Sequence, residues 1–218
     1  MSALARKCRR FVAYARMNRT SRKPGFTRGD ELPGLFRAAD LEARGIPRSR
    51  LNGMLRRGEV HRVGRGLYRL RDAPLTELET VAAVSKRIPG AIVCLLTALH
   101  VHGLGTQAPR DVWIALDRKA RKPWASELPI RIVRFSGPML RYAIETREVL
   151  GVPVRLTSPA RTVVDCFRYR KKIGLDVALE ALRDAVNSRK ATVDEIARAA
   201  EVCRIQTVIS PYLEAVAS

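Results

Sequence analysis

A chain of 218 residues that is 46% hydrophobic can bury one large core or two small ones, and its four widely spaced cysteines (Cys8, Cys94, Cys166, Cys203), with no CxxC pair, argue against a disulfide framework or a zinc knuckle. Its 41 Lys and Arg against 21 Asp and Glu give a formal charge of +20, more than solubility requires, so a polyanionic partner is expected. No apolar run approaches the roughly 20 residues that cross a bilayer and no secretory apolar core opens the chain, so a cytoplasmic protein without a membrane partner is expected.

The charge is uneven. Residues 1–71 hold 19 basic and 5 acidic side chains, and the remaining 147 residues hold 22 and 16. Leu4, Cys8, Phe11, Val12 and Ala15 recur at helical spacing among Arg6, Lys7, Arg9, Arg10 and Arg16, which predicts a basic amphipathic helix. The same features resemble an organelle transit peptide, but Ser is too scarce for one. Ser21 to Gly34, rich in Pro, Gly and charge, reads as a connector, so residues 1–34 form a basic arm.

Phe36, Ala39, Leu41 and Ala43 predict a short helix, Gly45-Ile46-Pro47 a tight turn, and Arg48 to Arg57 a second helix, which is helix-turn-helix spacing. At about 100° per residue, Leu51, Met54 and Leu55 share an inner face. Ser49, Asn52, Gly53 and Arg56 lie opposite, flanked by Arg48, Arg50 and Arg57. Arg pairs with guanine and Asn with adenine in the major groove, and a central Gly lets the backbone approach the bases. Gly58 ends the helix. Val60 to Leu70 then alternates as two short strands about Gly64-Arg65-Gly66, a wing whose His61, Arg62 and Arg65 are placed to meet phosphate or the minor groove. A small helical hairpin with a solvated basic face is the plainer alternative, but it does not account for helix, turn, helix and basic wing in that order. A winged helix-turn-helix over 35–72 that binds double-stranded DNA is therefore expected.

Beyond residue 72 the pattern changes to a second domain, 73–218. Thr76 and Glu79 predict a capping box before a helix closed by Pro89-Gly90. Ala91 to Leu96 and a small-residue helix through His102 follow, then strand-like runs at Asp111–Leu116, Ile130–Phe135 and Val152–Leu156. From Ser158 the chain reads as helical with breaks near Gly174 and Thr192. The expected class is mixed α/β: an N-terminal winged helix-turn-helix, then an α/β domain with a helical C-terminal half.

Signals for enzymology are weak. Asp111 with Asp117-Arg118-Lys119 is similar to the carboxylate and DxK pattern of metal-dependent nucleases, where a Lys polarises the attacking water. Asp117 at a strand end is equally a turn residue. His100, His102 and Cys94 resemble a metal cluster, yet a His pair two residues apart on a helix points to different faces. No HExxH, GxSxG, GxGxxG or Walker loop is present, so no catalytic residue, cofactor or metal is expected.

The segment "LFRAADLEARGIPRSRLNGMLRRGEVHRVGRGLYRL" (35–70) resembles the N-terminal domain of the AbiEi family, the antitoxins of type IV toxin-antitoxin systems. "PGAIVCLLTALHVHGL", "SPARTVVDCFRYRKKIGLDVALEALRDAV" and "PYLEA" are similar to the family's C-terminal antitoxin domain in order and spacing. The resemblance thus spans about Leu35 to Val216 and departs from the family in the N-terminal arm. It implies a repressor of its own operon, bound to promoter repeats, that counteracts a nucleotidyltransferase-like toxin without a stable complex. It also places Arg161, Asp165, Arg168, Arg170, Lys171 and Lys172 in the antitoxin domain as candidates. A magnesium-dependent nuclease and a regulator without a toxin remain the alternatives.

Overall fold

A computed structural model of the protein describes residues 32–123 and 128–217. The expected basic helix at Leu4–Ala15 lies outside the described residues. The expected helix about Phe36 begins instead as a strand. β1 (Leu35–Arg37) pairs antiparallel with β3 (Leu67–Leu70), Leu35 opposite Arg69 and Phe36 opposite Tyr68, and only then does α1 (Ala38–Glu42) start. The apolar pair is drawn into a sheet because both of its faces are covered, as both side chains are fully buried. Gly45, in the left-handed region at φ 71°, turns the chain so that Ile46 buries, and α2 (Ser49–Arg56) follows. β2 (Val60–Gly64) returns along β3 as a hairpin, completing a sheet of order β1-β3-β2. Phe36, Leu41, Ile46, Leu51, Met54 and Val60 make one small core on this sheet.

α3 (Glu79–Arg87) starts two residues later than a Thr76 cap implies: Thr76 Oγ1 accepts from the Leu78 amide, and Glu79 turns instead to Arg69. The larger sheet has the order β6-β5-β4-β8-β7, built from β4 (Ile92–Val93), β5 (Val112–Asp117), β6 (Ile130–Phe135), β7 (Ile144–Val149) and β8 (Val152–Thr157). β5 and β6 run parallel, as do β4 and β8, while β7 and β8 form an antiparallel hairpin. β5 is buried along almost its whole length, which explains its continuous apolar run. Helices α4 (Leu95–His102), α5 (Pro159–Arg168), α6 (Arg170–Ile173), α7 (Leu175–Asn187), α8 (Val193–Val202) and α9 (Gln206–Ala217) complete the expected helical half. Ser158 caps α5 with Pro159 in its first turn, and Thr192 with Glu195 forms a reciprocal capping box on α8. The described residues contain no helix long and apolar enough to cross a membrane.

The residues from Leu32 onward form one compact unit. The second face of the small sheet presents Leu35 and Leu67, which bury against Ala82 and Ala83 of α3 and Val152 of β8. The β7–β8 turn, Leu150-Gly151, reaches the start of β1, where the Leu35 amide donates to the Leu150 carbonyl (3.1 Å). Gly151 sits at φ 73°, and a Cβ there would lie 2.5 Å from Pro33 Cβ, so only glycine fits. Arg69, almost fully buried, pairs with Glu79 Oε2 (3.1 Å) and donates to the Ala73 carbonyl (2.7 Å).

In the main core Arg161 is fully buried. Its Nε donates to Asp165 Oδ1 (3.0 Å), Nη1 to the Tyr142 carbonyl (3.0 Å) and Nη2 to the Met139 carbonyl (3.2 Å). Burial lifts the Asp165 carboxyl to about 6, against the lowering effect of the Arg161 charge. A carboxyl raised in the folded state stabilises fully below its unfolded value near 4, and that contribution is lost as pH rises through about 6. Arg161→Met strands Asp165 and two carbonyls and should cost about 3–5 kcal/mol. Without the cation Asp165 resists ionisation further, so the deficit should grow from pH 5 to pH 8. Urea midpoints at both values check this; a loss under about 1 kcal/mol, or a gap that shrinks with pH, contradicts it.

Candidate nucleic-acid interface

Because Leu51 and Met54 bury inward, α2 turns its other side to solvent. Arg48, Ser49, Arg50, Asn52, Arg56 and Arg57 are all exposed there, with Gly53 half-buried between them. The face carries no carboxylate. Arg57 is tied to Glu59 just beyond it, Nε to Oε1 at 2.7 Å. The β2–β3 hairpin stands beside it, with His61, Arg62 and Arg65 exposed and Val63 an exposed apolar side chain at the tip. Arg62 Nε donates to the Gly64 carbonyl (3.3 Å), and the strand register shifts between Arg62 and Gly64. All ten residues expected at a DNA contact therefore gather on α2 and the adjoining hairpin.

Two basic residues that sequence reasoning missed adjoin this site. Lys86 and Arg87 end α3, outside the helix-turn-helix segment. Lys86 Nζ pairs with Asp40 Oδ2 (2.7 Å), and Arg87 Nη1 donates to the Arg65 carbonyl (3.4 Å). Burial pushes the Asp40 carboxyl up, but the Lys86 and Arg37 hydrogen bonds with the Lys86 and Arg44 charges hold it below its ordinary value.

The second group of candidates divides. Arg161 and Asp165 lie fully inside the core and present nothing to a partner. Arg168, Lys171 and Lys172 are exposed and Arg170 half-buried. Arg168 Nη1 donates to the Cys203 carbonyl (2.7 Å) and Arg170 Nη1 to that of Phe167 (3.0 Å), so both help satisfy helix ends. Lys172 Nζ lies 5.7 Å from the Tyr169 ring, whose hydroxyl donates to the Arg134 carbonyl (3.1 Å). Arg134 in turn holds the carbonyls of Asp117 and Ala120 (2.9 and 2.8 Å).

The nuclease geometry is not met. Asp111 and Asp117 flank β5 at opposite ends, about 20 Å apart at strand rise, too far to share a metal ion. Asp111 pairs with Arg131 (2.7 Å), and Asp117 Oδ1 accepts from the Lys119 amide (2.8 Å) as a turn residue does. His102 is buried with Nε2 2.7 Å from the Thr157 carbonyl and Nδ1 2.9 Å from Arg147 Nη2. Burial, aided by the Arg147 charge, lowers its pKa and favours the neutral ring that this pairing requires. His100 faces Glu77 instead (3.7 Å), and the described residues contain no group of three or more metal-ligating side chains.

Gly53 is the residue of α2 whose type works most against the helix. Its φ is ordinary, and a Cβ would meet only the mobile end of Arg57 at 3.0 Å. Gly53→Ala should therefore raise stability by about 0.5–1 kcal/mol. A lower urea midpoint would show that the helix needs glycine for its own packing.

Residues 30–71 match the family of transcriptional regulators described as AbiEi antitoxin. No curated protein matches the chain. The crystal structure of the RV2827C protein from Mycobacterium tuberculosis is similar with a TM-score of 0.51 and 15% identity, over 86% of this chain and 77% of that one. At that identity the likeness is one of fold.

Proposed function

We propose, from a helix-turn-helix segment that matches the AbiEi antitoxin regulators, that the chain is a cytoplasmic, non-enzymatic repressor that binds double-stranded DNA at promoter repeats. The observation that carries the reading is the acid-free exposed face of α2, with Asn52, Gly53 and Arg56 at its centre, set beside a hairpin bearing His61, Arg62 and Arg65. α2 enters the major groove, where Arg56 and Asn52 read base edges. Arg48, Arg50 and Arg57 meet flanking phosphates. The hairpin acts as a wing on phosphate or the minor groove. Gly53 lets the helix backbone close on the bases, so the alanine that stabilises the free protein weakens its complex.

The antitoxin role rests on the family match. In it the α/β half counteracts a nucleotidyltransferase-like toxin without a stable complex, and the exposed Arg168, Arg170, Lys171 and Lys172 are the side chains offered to a partner. Arg161 and Asp165 support that half from within.

Arg56→Ala should cost about 1–3 kcal/mol on a duplex selected by the wild-type chain and little on random duplex. Arg65→Ala should weaken both alike and lower the salt slope by about one. Titrations on both duplexes at two salt concentrations check this. Equal losses on both for Arg56→Ala contradict base reading by α2.

A further inference from the structure

The wing proposed above is a loose device on its own. Arg65 sits between Gly64 and Gly66, the latter at φ 69°, where the strand register has already slipped. Two glycines around one residue leave its backbone many conformations, and fixing them on binding costs affinity. The structure supplies a brace from outside the segment. α3 ends on Lys86 and Arg87, and this last turn touches three parts of the DNA-binding module. Lys86 reaches Asp40 of α1 (2.7 Å), the Arg87 carbonyl accepts from Arg37 Nη2 of β1 (3.3 Å), and Arg87 Nη1 reaches the Arg65 carbonyl in the hairpin turn (3.4 Å). The helix behind the brace is anchored, since Val81, Ala82, Ala83 and Val84 are all buried.

We propose that Arg87 is a positioning residue for DNA binding: it pins the backbone of Arg65 from the neighbouring α/β half, so that the wing meets the duplex already ordered. The inference rests on the DNA-binding reading. Through Arg37 and Asp40 the same turn of α3 fixes the start of the helix-turn-helix, so the last turn of α3 sets the angle between reading helix and wing. Arg87 is half-exposed beside the wing, and direct contact with phosphate is the competing role that the test must separate.

The two roles differ in their coupling to Arg65. The test is a double-mutant cycle in the full-length chain with Arg87→Met, Arg65→Ala and the pair, titrated on the selected duplex. If Arg87 acts by placing Arg65, Arg87→Met should weaken binding about twofold to tenfold, in line with a lost hydrogen bond, and lower the salt slope. In the Arg65→Ala background it should change either by little. Arg87→Lys, which keeps a donor, should restore most of the affinity, and a thermal melt checks that each variant is folded. A direct phosphate contact gives equal losses in both backgrounds, and that result overturns the proposal, as does an Arg65→Ala variant that binds like wild type. If the wild-type chain binds no duplex, the DNA reading itself falls and this inference falls with it; additive losses with wild-type binding intact remove the inference alone.

Discussion

The small β1-β3-β2 sheet cannot stand with both faces in water, and the arrangement of the protein follows from where its second face is buried. One face covers the helix-turn-helix core. The other presents Leu35 and Leu67 to Ala82, Ala83 and Val152. Small side chains on α3 allow this close approach, and the Gly151 turn closes it from the side with no room for a Cβ. Arg69 and Glu79 neutralise each other within the seam, where an unpaired charge would be costly. α2 and the hairpin are thereby mounted on the α/β half.

The same seam explains what sequence patterns did and did not show. α2, the hairpin and the strands β5, β6 and β8 were legible because each has the periodicity of an element with one or two buried faces. Phe36 read as the start of a helix because it falls in register with Ala39, Leu41 and Ala43; only pairing of β1 with Tyr68 and Arg69 decides otherwise. β7 escaped notice for the opposite reason. It is an edge strand, and Glu145, Thr146, Arg147 and Glu148 give it no apolar alternation. At Thr76 a capping signal was overridden when Glu79 found a tertiary partner in Arg69.

For the proposed interface, the residue types on α2 and the hairpin were readable, since Arg and Asn are among the side chains that suit base edges in the major groove. The contribution of Lys86 and Arg87 was not, because they are ordinary C-terminal cations on a helix until the fold brings them against Asp40 and Arg65. The resemblance offered Arg161 and Asp165 as candidates beside the exposed cations that follow them, yet both are fully buried, tying α5 to the turn at Met139 and Tyr142. The partners that reveal this are 19 and 22 residues away.

Binding through α2 and the hairpin, with the α/β half as mount, has a direct physical trace: amides on the contact surface exchange more slowly when DNA is bound. Hydrogen exchange of the full-length chain, with and without a duplex that it selects from a random pool, is the most direct measurement. It should show slowing at Ser49–Arg56 and across Val60–Leu67, with α8 and α9 unchanged. Protection confined to α8 and α9, with α2 and the hairpin exchanging as in the free protein, would contradict it.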